Sequence, residues 1–183
     1  MHAKLSPSSS ARWLSCTGSV KAEQAFPSST TSYAVEGTTA HSLAERCLTE
    51  DITPNYYLNK QLDGYTVDEE MIDNVAAYVA YVKSFPGIHF YEVRVDFSEW
   101  IPDGFGTSDA IVIDEKAKTV HVIDLKYGKG VPVDAKITRK VCFMRLAYCL
   151  NIVLFMTLTM WLFISINRAS KIIAHGQSPP PNF

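Results

Sequence analysis

Residues 106–128 read GTSDAIVIDEKAKTVHVIDLKYG, and the fold turns on how this stretch alternates. Residues 108–113 form an apolar strand with Asp109 near its start, just after Gly106. Residues 119–126 form a second strand, which ends in Asp124-Leu125-Lys126. Between them Asp114-Glu115-Lys116-Ala117-Lys118 is a polar turn. Upstream, His89, Tyr91, Val93, Val95 and Phe97 alternate with Phe90, Glu92, Arg94 and Asp96, the period of two that a strand requires. The expectation is a meander of three strands.

Alternation puts Asp124 and Lys126 on one face of their strand, with Leu125 on the other. A buried apolar strand that ends in charged residues is costly unless those charges meet something. A hard divalent cation, magnesium or manganese, would satisfy the carboxylates of Asp109 and Asp124. Lys126 would then orient or deprotonate a water and stabilise the charge developing on a phosphate. Taken alone, Asp-x-Lys reads as a solvated strand end with an ordinary ion pair. Its combination with Gly-x-x-Asp on the preceding strand, and with a histidine on an upstream helix, points to a metal site for phosphodiester hydrolysis.

Helices precede the strands. Residues 5–18, LSPSSSARWLSCTG, lead into a short helix capped by a serine among Ser8 to Ser10, with Trp13 and Leu14 facing inward. After a Ser/Thr/Pro-rich loop, EGTTAHSLAE at 36–45 opens a second helix, with Thr38 or Thr39 as its cap. His41 and Glu45, four apart, share one face of it. Residues 67–84 make the clearest helix, its apolar stripe being Met71, Val75, Tyr78, Val79 and Val82. Acidic residues fill its first turn and Pro86-Gly87 ends it.

The chain has 183 residues, the size of one domain with a sizeable core, and a formal charge of −2. That balance announces no basic tail for nucleic acid, although a local groove can be basic on a neutral protein. Cys16, Cys47, Cys142 and Cys149 are scattered without a CxxC pair, as reduced thiols of a cytoplasmic protein would be. The first residues lack the apolar core of a signal peptide, so a cytoplasmic location is expected.

The order of histidine, Gly-x-x-Asp and Asp-x-Lys followed by Tyr-Gly resembles the RecB-type branch of the PD-(D/E)XK nuclease superfamily. Within it, SPSSSARWLSC, EGTTAHSLAE, GTSDAIVID and VIDLKYGKGVPVDA are similar to a group of phage and prophage proteins known as a domain of unknown function. The likeness covers roughly residues 5–135. It implies an α/β (α+β) fold with a restriction-endonuclease-like core, N-terminal helices and a three-strand meander. It also implies His41, Asp109 and Asp124 as metal ligands, Asp109, Asp124 and Lys126 as the catalytic set, and Mg2+ or Mn2+ as the cofactor. Glu92 is an outer candidate whose plain reading is an exposed strand residue. Glu45 and Tyr127 are possible supports, the plain reading of Glu45 being a surface or capping carboxylate. Some relatives bind an iron–sulfur cluster through one early and several late cysteines. Cys16 sits at the early place but the late spacing is missing, so no cluster is expected. His89 and His121 read as ordinary strand residues. The implied activity is that of a magnesium-dependent, exonuclease-like deoxyribonuclease acting on DNA, with phage replication or recombination proteins as partners. The competing readings are a non-catalytic nucleic-acid-binding or phage assembly module and a membrane-anchored protein.

After Asp134-Ala135 the resemblance stops, where an amphipathic helix carrying a Gln-x-x-x-Tyr-type motif is expected. Instead residues 146–167, LAYCLNIVLFMTLTMWLFISIN, form an uncharged apolar run. As a helix it is long enough to span a bilayer, which takes about 20 residues. Read literally, this is a membrane anchor. A shift of reading frame near residue 135 explains the break better. Codons exist for residues 136–149 that, read two nucleotides later, give NNPQSMLHALGLL, with a helical period and a Gln-x-x-x-His. The expected division is therefore an incomplete nuclease-like domain over 1–135 and an aberrant tail over 136–183.

Overall fold

Periodicity and capping divide the chain into helices first and strands after, in a computed structural model that describes residues 4–26, 31–99, 101–128, 163–167 and 170–175. Two short helices, α1 (Ser10–Ser15) and α2 (Ser19–Gln24), precede α3 (Ser32–Thr49). A small hairpin, β1 (Gln61–Leu62) with β2 (Tyr65–Thr66), leads to α4 (Glu69–Ser84). Then come β3 (Ile88–Asp96), β4 (Phe105–Asp114) and β5 (Thr119–Ile123), an antiparallel sheet in the order β3-β4-β5. The expected meander is present.

Helix α4 follows from its sequence. Asp68 caps it by accepting the Met71 N–H at 2.8 Å, and Glu69 and Glu70 face the positive end of the helix dipole. Its stripe of Met71, Val75, Tyr78, Val79 and Val82 is buried. Each such side chain contributes about 1.5–3 kcal/mol by leaving water. Phe85, extended before Pro86, ends the helix. Gly87, at φ +130°, then lets the backbone run against the Ile113 carbonyl, where no Cβ would fit.

Helix α3 begins earlier than the sequence reading places it. Thr31 is the cap, accepting the Ala34 N–H at 3.2 Å, and not Thr38 or Thr39. Those threonines lie inside the helix and donate back to the Ala34 and Val35 carbonyls. Thr39 also donates to the Leu62 carbonyl at 3.1 Å, tying α3 to β1. A threonine that finds a carbonyl four residues back does not need to end a helix. Leu14, expected to face inward, is 49% exposed. Trp13 is held instead by donating from Nε1 to the Ser6 carbonyl.

The sheet has a core on each face. Leu43 and Cys47 of α3 and the α4 stripe pack on Ala110, Val112, Ile123 and Leu125. On the other face Ile111, Val120 and Val122 pack with Val95 and Phe97. Here a second expectation fails. Tyr91 packs on the helical side, whereas Val93, two residues later, packs with Val95 and Phe97 on the opposite cluster. One uninterrupted alternation would have kept all four together. The break falls at Glu92, whose φ is +49°.

Strand β5 is shorter than expected. Its ladder with β4 ends at Ala110↔Ile123, so Asp124 to Lys126 continue without sheet pairing. Further along, β6 (Phe163–Asn167) and β7 (Ser170–His175) pair antiparallel. The apolar helix expected over 146–167 therefore does not include Phe163–Asn167, where the alternation of Ile164-Ser165-Ile166-Asn167 suits a strand. Residues 146–162, and most of the tail from 136 onward, lie outside the described residues. Among the described residues no helix is long and apolar enough to cross a membrane.

Candidate metal centre

The place where β5 leaves the sheet is also where the acidic residues meet. Past Ala110↔Ile123 the Leu125 N–H has no strand partner, and it donates to Asp109 Oδ2 at 2.6 Å instead. A carboxylate thus does the work of a ladder carbonyl, and its position is fixed by the backbone. The same Oδ2 lies 3.4 Å from His41 Nδ1, which α3 presents from above. On the other side, Tyr91↔Ala110 and Val93↔Ser108 bracket Glu92, which therefore stands opposite Asp109 across the β3–β4 pair.

These side chains form a group that could hold a metal ion. One ligand atom each from His41, Glu92 and Asp109 lies within 4.8 Å of the others. Two oxygens on opposite sides of a magnesium ion are roughly 4.2 Å apart, at about 2.1 Å per bond. Neighbouring oxygens on such an ion are roughly 3 Å apart, so the side chains would have to draw together to close around a cation. The donor set also fits a divalent cation chemically, two carboxylates suiting a hard ion and the imidazole a first-row transition metal.

Glu92 deserves its place in that set for a conformational reason. A left-handed backbone at a residue other than glycine costs about 1–2 kcal/mol, and such strain concentrates at functional positions. Glycine would remove the strain but lose about 0.5–1 kcal/mol to chain entropy. Glu92→Gly is accordingly expected to leave the cation-free protein as stable as the parent, or up to about 1 kcal/mol more so. Urea titration should show this together with weakened manganese binding. A clear loss of stability would mean that the carboxylate serves packing and not a ligand.

The remaining expected residues are close by but arranged differently. Asp124 is 2% exposed and its Oδ2 is ion-paired with Lys126 Nζ, so the two do share a face as alternation requires. Asp124 lies outside the three-residue ligand group. Glu45 lines the crevice beside His41, one turn further along α3. Tyr127 packs against the helical core, with its carbonyl against Gly37 of α3. His89 Nε2 meets the Phe85 carbonyl at 3.0 Å, and the His121 ring stacks on Phe85 with centroids 4.3 Å apart. Cys16 and Cys47 are free thiols, and burial pushes that of Cys47 up to about 11.

One contributor gave no sign of itself in the sequence. His41, Glu45, Tyr78, Glu92, Asp109 and Leu125 line a narrow, partly open crevice. Tyr78 belongs to the apolar stripe of α4 and reads as core from its spacing. It nevertheless lines this acidic crevice. Burial first, and then the charges of Asp109, Asp124 and Glu92, hold its pKa well above the usual phenol value.

Residues 2–153 match a family model described as "Protein of unknown function (DUF2800)". The match includes every residue of this centre and runs on past Ala135.

Proposed function

The chain belongs to the DUF2800 family, and from the geometry of its centre we propose that it is a metal-dependent nuclease of restriction-endonuclease-like fold, hydrolysing phosphodiester bonds in DNA. The observation that carries this reading is the convergence of His41, Glu92 and Asp109 where β5 leaves the sheet, with Asp124 and Lys126 on the departing segment. A helix-borne histidine, an aspartate within one strand and an Asp-x-Lys at the end of the next are the elements on which the resemblance to PD-(D/E)XK nucleases rests.

A bound Mg2+ or Mn2+ would supply charge neutralisation at the phosphate and a lowered pKa for the attacking water. The chain's own residues would do the rest. Asp109, fixed by the Leu125 N–H, and His41 and Glu92 would hold the cation against the sheet. Lys126, 33% exposed, would leave Asp124 and turn its ammonium to the phosphate, where charge develops. Asp124, released from that pair, would become a further ligand. Phage or host DNA in replication or recombination is the substrate setting this reading favours.

The tail enters the proposal as the product of a shifted reading frame, which the nucleotide sequence tests; the family match to residue 153 weighs against a break as early as Ala135. Codons incompatible with the alternative frame would sink it. The activity test is digestion of linear DNA with and without magnesium, by the present chain and by its frame-restored counterpart. Digestion that needs magnesium, and that disappears in the Asp109→Ala/Asp124→Ala/Lys126→Ala variant, is the expected result. Full activity in that variant would refute the assignment. DNA binding indifferent to magnesium, without cleavage, would instead leave a non-catalytic binding or assembly module. Carbonate-resistant, detergent-soluble association with membranes would identify the tail as an anchor.

A further inference from the structure

The Tyr78 side chain is 1% exposed and projects from α4 into the crevice that His41, Glu92 and Asp109 line. Its hydroxyl has no hydrogen-bond partner among the described residues. A buried hydroxyl left without a partner opposes folding, and a phenylalanine would fill the same space without that cost. The groups lining the crevice that can accept from that hydroxyl are the carboxylates of Asp109, Glu92 and Glu45 and the imidazole of His41. Of the charges that the Tyr78 phenol feels, that of Asp109 is the strongest.

We infer that Tyr78 is a positioning residue of the cation site, its O–H donating to the Asp109 carboxylate once a divalent cation has drawn the ligands together. The inference rests on the proposed cation site. Asp109 already uses Oδ2 toward the Leu125 N–H and His41. A second donor, from α4, would fix the remaining rotation of the carboxylate and hold a lone pair on the cation. Ligating carboxylates are commonly held in this way by outer hydrogen bonds. A phenol suits the task because it stays neutral and donates without competing with the cation for the carboxylate, as a lysine would.

Tyr78→Phe tests this, because it removes one oxygen and keeps the ring. Manganese binding by the full chain is measured by isothermal titration and by the electron paramagnetic resonance of the bound ion. Thermal melting follows stability with and without manganese. The variant should melt no lower than the parent without manganese, bind manganese about ten-fold more weakly, and show an altered resonance of the bound ion. A merely structural tyrosine would do the reverse, melting lower without manganese and binding it with unchanged affinity and spectrum. That outcome overturns the inference while leaving the cation site standing, provided that Asp109→Asn abolishes binding in parallel. Failure of the parent chain to bind manganese at all would overturn both.

Discussion

Asp109→Asn is expected to lower the affinity for Mn2+ at least a hundredfold while the chain still folds. The two effects separate because Asp109 has two functions. As an acceptor it receives the Leu125 N–H at 2.6 Å where β5 has left the sheet, and an asparagine oxygen can take over that hydrogen bond. As a charge it faces His41 and stands opposite Glu92, and an amide cannot replace it there. A unit charge at about 4 Å from a cation is worth about 4 kcal/mol at an effective dielectric of 20. A hundredfold loss is therefore the conservative expectation. Asp109→Ala should lose binding equally and also lose about 1–3 kcal/mol of stability, because the Leu125 N–H is orphaned. Calorimetric titration with manganese and urea denaturation of the two variants measure both quantities. Unchanged manganese affinity in Asp109→Asn would remove Asp109 from the centre.

The second large effect belongs to Lys126. Its ammonium pairs with Asp124, which is almost completely enclosed, while the lysine itself is a third exposed. Lys126→Met keeps most of the stem and deletes the charge, leaving a buried carboxylate without its cation. Breaking such a pair from one side costs about 3–5 kcal/mol. Removing both partners costs much less, so the Asp124→Asn/Lys126→Met variant should recover most of the loss. Manganese should stabilise Lys126→Met more than it stabilises the parent, because Asp124 would then be available as a ligand. Chemical denaturation of the single and double variants reads these differences. A cost below about 1 kcal/mol for Lys126→Met would place the pair among ordinary surface ion pairs.

The elements that the sequence states plainly are those in which one period persists. Residues 67–84 show the apolar stripe of α4 together with its acidic first turn, and β3, β4 and β5 show a period of two around a polar turn. His41 and Asp109 could be named in advance only through the resemblance to PD-(D/E)XK nucleases, since a lone helix-borne histidine reads as structural. What stayed hidden depends on single-residue conformation or on where a strand stops. Nothing in Glu92 marks it for a left-handed backbone, so the change of face in β3, and with it the approach of Glu92 to Asp109, could not be foreseen. Thr38 and Thr39 looked like caps because a threonine's hydroxyl serves equally well at a helix start and, turned back to a carbonyl, inside one. Tyr78 looked like core because it is core, buried within the α4 stripe, although it also lines the crevice. The tail misled through its hydrophobicity, which at Phe163–Asn167 serves a strand.

The central claim is that His41, Glu92 and Asp109 together bind a divalent cation. Anomalous diffraction from crystals of the full chain grown with manganese tests it most directly. The account predicts one strong peak roughly 2.1 Å from a ligand atom of each of the three side chains, with Tyr78 Oη hydrogen-bonded to the Asp109 carboxylate. A manganese-saturated crystal with no peak there, or with the ion held elsewhere while the three side chains keep their present arrangement, would contradict it.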